Sequence, residues 1–490
     1  MASIDGLVSG MSTTDTINQL MQIEAAPQTA LKNKITTANK VVTAYQSVNS
    51  RVSSLASAAA ALDTASTWGA MKATANSDAV VVSAQPGAAA GSLSFRVGRL
   101  ATTQIMTYDT TKVGGLDDTV VETDPDSGEG LIQLTDPNGG VTTLRAKDGT
   151  LRSVAAAING SADLPYTAAA VQIGKGQYTL QLTAKTSGEK AATDMAAAGL
   201  PTNLIGGPTA SVTAQGDDAV LTVGTLATYE IKSATNTFAD VMPGVTVTAA
   251  KQQAPADAAV TVTVTADADG IAAKVQAMVD NANVLLGEIG SQSTAKTDTT
   301  AAGPLVGDSV MRKLSQDILS AVASGVPGVG TNGGTASFND VGVGVDRYGK
   351  LTFDKQKFMD AYQADPAKTQ KYFDSYTDVT RAGKGTEGKF EPGFDTANGV
   401  ARKLETLALV AGEGVIDPTD PTKPKQGTLQ TLIQRRNEVI RGLNDQVSEW
   451  DVRLEARRSA LQLQFSNLEV ALGKMQQQSS WLAGQLAGLS

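Results

Sequence analysis

The segment VVTAYQSVNSRVSSLASAAAAL, residues 41–62, carries the clearest structural pattern in the sequence. Its apolar side chains recur in alternating steps of four and three residues, at Val41, Tyr45, Val48, Val52, Leu55, Ala59 and Leu62. Such spacing places them on one helix face, and a mean period of 3.5 residues is typical of helices that pack along a heptad seam. We therefore predict a long helix here, which Trp68 and Gly69 bring to an end.

A second seam lies near the other end of the chain. Steps of three and four residues link Ile440, Leu443, Val447, Trp450 and Leu454. After Arg457 the pattern resumes, with two successive four-residue steps around Leu461, and it continues through Phe465, Leu468, Leu472, Met475, Ser479, Leu482, Leu486 and Leu489. An inserted step of four locally relaxes a left-handed supercoil. One such helix would fit an ordinary hairpin within its own domain, but two seams at opposite ends favour helices that pair with each other and leave faces for partners.

Between the two seams the pattern changes to that of strands. Val260, Val262 and Val264 alternate with threonines, as expected for a half-buried antiparallel strand. Thr150–Gly160 (TLRSVAAAING) reads as a short helix between strands, and the helical period returns from Asp269. The predicted fold class is α+β and multidomain. The N- and C-terminal helices form a coiled-coil-like stalk or leg, and antiparallel β-rich head domains are inserted between them.

Composition excludes several classes of function. The chain has 490 residues with no cysteine and no histidine, so it offers no thiol nucleophile, no Cys/His zinc site and no histidine-based triad. A net charge of -9 argues against nucleic-acid binding, and no apolar run has the length of about 18 residues that membrane insertion requires. We expect no enzyme, cofactor or metal, although a carboxylate pair brought together by folding stays open.

Two short motifs match ligand-binding patterns only in part. Gly328–Gly333 (GVGTNG) matches a dinucleotide-binding pattern, but a helix precedes it where that fold needs a strand. Asp124–Gly130 (DPDSGEG) has alternating acids, yet Glu129 stands where a calcium-binding loop needs glycine. We expect a loop at the first position and a solvated turn at the second.

The stretch IDGLVSGMSTTDTINQLMQIEAAP, Ile4–Pro27, lacks the basic start and continuous apolar core of a secretory signal. Ser12–Asp15 fits a capping box with aspartate in place of glutamate, ahead of a helix that includes Ile17, Leu20, Met21 and Glu24. Pro27 should end that helix and begin the next one, because proline is tolerated at a first helical position.

This opening resembles the start of the bacterial flagellar hook-associated protein 2 family, the filament caps. That family typically opens I-x-G-L-x-S-G, with Q-L-M-x-I-E and a proline soon after. The matching residues here are Ile4, Gly6, Leu7, Ser9, Gly10, Gln19, Leu20, Met21, Ile23, Glu24 and Pro27. Other similar segments follow in family order, at Ser92–Gln104, Phe238–Thr248, Gly303–Leu314, Val341–Asp354 and Phe465–Leu486. Residues 107–212 fit no fixed motif of the family.

The resemblance implies a domain plan and a role. Residues 1–40 with 441–490 would form terminal leg helices, and 41–72 with 268–440 a helical stalk. Residues 73–106 with 213–267 would form an inner β head, and 107–212 an outer variable head. The chain would be secreted and would cap the extracellular tip of the flagellum, where it retains exported flagellin and promotes its folding and insertion. It would form a homo-oligomeric ring, expected to be pentameric.

Partners and contact residues follow from the same resemblance. The expected partners are flagellin, the hook–filament junction protein, and an export chaperone that holds the C-terminal helix before secretion. We predict leg contacts at Ile17, Leu20, Met21, Ile23, Leu468, Leu472, Met475, Trp481 and Leu482. The stalk seam is predicted at Val41, Tyr45, Val48, Val52, Leu55, Leu62, Leu443, Val447, Trp450 and Leu454.

Two alternative functions stay open at this point. A structural axial protein, such as a hook–filament junction protein or a flagellin-like wall subunit, would share the helix–β–helix plan. A surface adhesin would instead use the threonine- and glycine-rich head of residues 107–212 to bind glycans, although no aromatic platform in that head demands it.

Overall fold

The computed structural model describes residues 10, 12–207, 209–224, 228–379, 389–416 and 424–487. Ile4, Gly6, Leu7, Ser9 and Leu489 of the sequence patterns lie outside these residues. By its internal contacts the chain forms two units, Met1–Trp68 with Ala268–Ser490 and Gly69–Asp267. We call the first the helical unit and the second the β unit. The finer division into four parts stays a prediction.

The described residues contain eleven α-helices and two short 3₁₀ turns, the latter at Thr331–Gly333 and Phe338–Val341. The helices are α1 (Thr13–Glu24), α2 (Ala26–Ala60), α3 (Ala65–Trp68), α4 (Leu151–Gly160), α5 (Glu189–Ala197), α6 (Ala268–Gln292), α7 (Ser309–Ala323), α8 (Lys355–Ala364), α9 (Pro366–Asp374), α10 (Val400–Ala411) and α11 (Thr428–Ala487).

The described residues also contain twenty-one strands, and the strand pairs formed between them are antiparallel. The strands are β1 (Met71–Ala75), β2 (Val80–Ala84), β3 (Gly91–Arg99), β4 (Ile105–Thr107), β5 (Gly130–Thr135), β6 (Val141–Ala146), β7 (Tyr166–Gly174), β8 (Gln177–Ala184), β9 (Leu200–Pro201), β10 (Ser211–Ala214), β11 (Ala219–Val223), β12 (Tyr229–Ser233), β13 (Thr237–Met242), β14 (Val245–Ala249), β15 (Val260–Ala266), β16 (Val343–Val345), β17 (Leu351–Phe353), β18 (Tyr376–Thr377), β19 (Thr396–Ala397), β20 (Gly414–Ile416) and β21 (Pro424–Gln426). The α+β class with antiparallel sheets inserted between terminal helices is confirmed.

Helix α2 supplies the central face of the helical unit's core. Tyr45, Val48, Val52 and Leu55 are buried, and Leu62 is buried too although α2 ends at Ala60. These side chains belong to one hydrophobic cluster with apolar residues of α6, α7, α8, α9 and α10. Most of this seam therefore faces the internal helices of the same unit. Its spacing alone could not show which helices these would be.

One part of the β unit is built on two sheets around Phe95. The first sheet has the order β1-β15-β3-β11-β12 and the second β13-β14-β2. Val260, Val262 and Val264 of β15 are buried while the threonines between them are more exposed, so the predicted half-buried strand is confirmed. Phe95 and Phe238 fill the same cluster of buried side chains.

The other part of the β unit has sheets of order β10-β4-β8-β7 and β6-β5-β9. Helix α4, predicted from TLRSVAAAING, begins after the capping Thr150 and contributes Val154 and Ile158 to a cluster around Tyr166. The Asn159 carboxamide donates to the Ala168 carbonyl and accepts from the Ala168 N–H, both at 2.8 Å. It thus satisfies one backbone position at the open edge of β7, where an unpaired strand would otherwise attract another chain.

A buried ionic cluster joins three segments of the helical unit. The Arg402 guanidinium of α10 lies 2.6 Å from Asp63, which follows α2, and 2.6 Å from Asp374 at the end of α9. Glu405, one turn along α10, lies 3.6 Å from the same guanidinium. One cation thus faces three carboxylates out of water, which favours keeping one of them protonated. Burial, with the Asp63 carboxylate beside it, raises the pKa of Glu405 to about 7.

Replacing Glu405 with glutamine is expected to change stability only at higher pH. The folded protein prefers the protonated Glu405, so this group's contribution is complete below about pH 4.5 and is lost as the pH rises through about 7. Glu405→Gln stays neutral and should raise the free energy of unfolding at pH 8 by on the order of 3 kcal/mol, with little effect near pH 4.5. Urea unfolding followed by Trp68 fluorescence, with Trp450 and Trp481 replaced by phenylalanine, measures this.

Glu288→Gln is the matched control with the opposite sign. Hydrogen bonds from Ser47 and Gln292 hold the pKa of Glu288 below its usual range, so that carboxylate stabilises the fold above its unfolded pKa. Glu288→Gln should therefore weaken the protein at pH 8. Identical pH profiles for the wild type and Glu405→Gln would contradict the account of the cluster.

Candidate functional site

The start of the chain's described part is a capped helix. The Ser12 hydroxyl accepts from the Asp15 N–H at 3.4 Å and donates to the Asp15 carboxylate at 2.6 Å. The Ser12 N-cap is as predicted from the sequence. The Asp15 carboxylate, however, accepts from the Ser12 hydroxyl, whereas in a capping box it would accept from the backbone N–H of the capping residue. Helix α1 ends at Glu24 and Pro27 stands in the first turn of α2, also as predicted.

Polar contacts fix α1 and the start of α2 against α11. Arg458 donates to the Asn18 side chain at 2.8 Å, and Arg457 donates to Glu24 at 3.1 Å. Gln28 donates to the Asp451 carboxylate at 2.5 Å. The partner numbers on α11 fall as those at the other end rise, so the two ends of the chain pair antiparallel. We call this antiparallel assembly of α1, the start of α2 and the facing part of α11 the leg.

Gln28 is the buried polar residue at the centre of this pairing. It is 6% exposed, and besides Asp451 its amide reaches the Val447 carbonyl at 3.4 Å while its carbonyl accepts from Lys32 at 3.1 Å. A buried side chain with partners on the neighbouring helix fixes the register between the helices, because any slip leaves polar groups without hydrogen bonds.

A groove of about 270 Å³ lies in the leg between α1 and α11. Leu20, Ile23 and Pro27 line one side, and Trp450 and Leu461 line the other. Ile23 is 73% exposed at its rim, whereas Leu461 is buried. The inserted four-residue step in the C-terminal seam therefore falls at the point where α1 meets α11.

Beyond Arg458, α11 runs on to Ala487, about 44 Å at 1.5 Å per residue. The described α1 starts only five residues before Asn18 and so covers little of that length. At 100° per residue, one face of the extension carries Leu468, Leu472, Met475, Leu482 and Leu486. The opposite face carries Leu463, Val470 and Trp481, the last of these 65% exposed. A helix that is apolar on two faces is typical of a buried position, so this extension is suited to neighbours on both sides.

The predicted leg residues thus fall into two groups. Ile17 is buried within the chain's own helix pair and Met21 is half-buried, which leaves Leu20 and Ile23 as the accessible ones on α1. On α11, Leu472 is half-buried and the other predicted residues are exposed. Trp481 points away from the face that Leu472 and Leu482 share. Their contacts with partner molecules stay a prediction.

The predicted stalk residues also differ from one another in how deeply they are buried. On α11, Leu443, Val447, Trp450 and Leu454 share one half-buried face, and Val41 on α2 is half-buried as well. Tyr45 is buried, and its hydroxyl donates to the Asp308 carboxylate that caps α7. Burial and that carboxylate raise the pKa of Tyr45 to about 12, so the hydroxyl stays a neutral donor.

Sequence reasoning named Glu24 as a family-motif residue and Arg457 as a break in the seam, but it assigned no contacts to the polar residues of the leg. Asn18, Glu24 and Gln28 stand among apolar positions, and Arg457 and Arg458 interrupt the C-terminal seam. The sequence feature that could have indicated these contacts is the interruption of the apolar repeat by two arginines, because cations inside such a repeat need partners nearby. Pairing them required the antiparallel register, which the sequence did not supply.

In the described ranges, no group of three or more Asp or Glu side chains could hold a metal ion. None of the helices described is both long enough and apolar enough to cross a membrane.

Comparison with known proteins shows which family has a sequence similar to the helices of the leg. Two family models match the chain, Flagellar hook-associated protein 2 N-terminus over residues 9–104 and Flagellar hook-associated protein 2 C-terminus over residues 216–477. Together they include the described parts of α1 and most of α11. Residues 105–215, between the two matches, contain the second part of the β unit.

A similar curated protein is the lateral flagellar hook-associated protein 2 of Vibrio parahaemolyticus, 25% identical over 233 residues. That match covers 46% of this chain and 49% of the relative, so the chain spans about half the length of the curated relative it matches. Among solved structures, the D1-D2-D3 domains of the flagellar cap protein FliD from Escherichia coli share the fold, with a TM-score of 0.54 and 18% identity. That match covers 80% of this chain and 99% of the other.

Gln28→Ala should loosen the leg. The substitution removes the hydrogen bond that the buried Gln28 amide donates to the exposed Asp451 carboxylate. We expect a loss of about 1–3 kcal/mol in the local stability of the helix pair, because a hydrogen bond to a charged group is among the stronger ones. Hydrogen exchange of residues 445–458 in the full chain measures it. The control is Gln22→Ala on the exposed side of α1, which should change nothing. Equal exchange rates in the two variants would show that the Gln28 contacts do not hold the pair.

Proposed function

Because the chain belongs to the flagellar hook-associated protein 2 family, we propose that it caps the distal tip of a flagellar filament. In this role it is a secreted, extracellular assembly factor without catalytic activity. It retains exported flagellin and promotes its folding and insertion. The observation that carries the proposal is the extension of α11, whose two apolar faces are uncovered beyond the leg.

Burial of the extension supplies the driving force for docking. A Leu, Met or Trp side chain contributes about 1.5–3 kcal/mol when it moves from water into a packed interface. Four such residues would contribute about 6–12 kcal/mol, enough to offset much of the entropy that association costs. The partners on the two faces would be flagellin, the hook–filament junction protein or neighbouring copies in a homo-oligomeric ring, for which five subunits are expected.

The same extension needs a partner before export. An amphipathic helix with exposed leucines is prone to aggregate in the cell, and a groove on an export chaperone would cover it. We infer that the chaperone holds residues 465–489, of which 488 and 489 lie outside the described part of the chain. Deleting residues 465–490 should abolish chaperone pull-down, and retained binding would move the site elsewhere.

A structural axial protein with the same helix–β–helix order would differ from a cap in its location on the flagellum. A junction protein or flagellin-like subunit would label a basal band or the whole filament, whereas a cap labels one spot at each tip. Fluorescent labelling of a single introduced cysteine on live cells separates these, since the chain has no cysteine of its own.

The double substitution Leu472→Glu with Met475→Glu should abolish filament growth. Burying two unpaired carboxylates on this face would cost more free energy than the remaining apolar contacts contribute to docking. Filament number and length are counted on cells of the deletion strain that express the variant. Recovery of the variant from the medium shows that export is intact, and circular dichroism shows that the β unit is folded.

Val141→Glu is the matched control for exposure. Val141 lies in the β unit and is 58% exposed, against 59% for Met475. The Val141→Glu variant should support normal filaments. Normal filaments from the Leu472→Glu, Met475→Glu variant would contradict the proposal that the extension of α11 is needed for filament growth.

A further inference from the structure

The hairpin of β16 and β17 in the helical unit presents a rigid tip, residues 346–350. The Asp346 carboxylate accepts from the N–H groups of Tyr348 at 2.8 Å and Lys350 at 2.9 Å. At the base, the Asn283 side chain of α6 binds both the N–H and the carbonyl of Leu351, each at 2.9 Å. The tip is therefore held in one conformation before any partner arrives.

The tip exposes residue types that dominate protein interfaces. Tyr348 is 77% exposed, and the Arg347 guanidinium lies 4.7 Å from the centre of its ring. Neither Arg347 nor Lys350 has an ion-pair partner within the described residues. Tyrosine and arginine are enriched at the centres of interfaces, and a pair that is already ordered loses little conformational entropy on binding.

A complementary surface lies on the outer face of α11, which we define by Asp445, Glu449 and Val452. Their spacing of i, i+4 and i+7 puts them on one side of the helix, opposite the face of Leu443 and Val447 that packs inward. Val452 is 71% exposed. Asp445 and Glu449 have no ion-pair partner within the described part of the chain.

We propose that the hairpin tip of one copy binds the outer face of α11 on a second copy. Arg347 and Lys350 would meet Asp445 and Glu449, and the Tyr348 ring would cover Val452. The two surfaces differ, so the contact is heterologous, and a repeated heterologous contact closes into a ring when its rotation permits. The inference rests on the proposed function for the ring. The contact itself is argued from the opposite charges of Arg347 and Lys350 on one side and Asp445 and Glu449 on the other, none of which has an ion-pair partner within the residues that the structure describes.

Because the chain has no cysteine, single introduced cysteines test the contact directly. Tyr348→Cys and Val452→Cys variants, one of them tagged, are expressed together in the deletion strain, and surface flagella are oxidised with copper phenanthroline. A mixed disulfide can form only between different copies. We expect a tagged–untagged dimer at a yield at least five-fold above that of Tyr348→Cys with Val439→Cys. Val439 lies on the same helix about 140° around its axis.

Charge exchange tests the chemistry of the same contact. Arg347→Glu with Lys350→Glu should lower the cross-link at least five-fold, as should Asp445→Lys with Glu449→Lys. Combining the two sets should restore it to within about two-fold of the original yield. Absence of a mixed disulfide, equal yields with Val439→Cys, or failure of the combined variant to recover would each overturn the proposal.

Filament growth separates this inference from the proposed function. If the tip variants cap filaments normally and the cross-link is absent, the contact is wrong and the cap stands. If the cross-link forms but deletion of the gene leaves filaments and flagellin unchanged, the contact stands and the cap is wrong. A cross-link from Tyr348→Cys to flagellin in place of a second copy would overturn the assignment of the partner.

Discussion

The structure depends on the antiparallel pairing of the two ends of the chain. Gln28 is buried between α2 and α11, and its hydrogen bonds to Asp451 and Val447 hold one register. Arg457 and Arg458 extend that register to Glu24 and Asn18. Because a buried polar group is costly when unpaired, a slip of one turn would be penalised at several points along the helices. The β unit is inserted in the chain between residues 68 and 268.

The pairing also determines what is left uncovered. Helix α11 has 60 residues, far more than α1 can cover, so its last turns carry apolar side chains into solvent on two faces. A chain that folded only for its own stability would not keep Leu468, Met475 and Trp481 exposed, since each would contribute more when buried. In the proposed assembled state neighbours would cover these faces, and this would be the physical basis of the proposed capping role.

The sequence predicted periodic features well and specific polar contacts poorly. The seam from Tyr45 to Leu62, the Ser12 cap, the helix at 151–160 and the alternation in β15 all follow from local spacing, and local spacing is visible in a sequence. The partner of the seam was not visible, because heptad spacing says that a face is buried but not against which helix. The Arg402 cluster joins Asp63 to Asp374, residues more than 300 positions apart, and only the fold brings them together. Trp481 was grouped with Leu482 by sequence, yet adjacent helical residues point about 100° apart.

The measurement that tests the central claim most directly is the fate of flagellin after deletion of the gene in its native host. If the chain caps the filament, the deletion strain should release monomeric flagellin into the medium and lose its filaments, and expression of the full chain should restore both. Normal filaments of normal length in the deletion strain would contradict the account, and would leave the uncovered faces of α11 to a different partner.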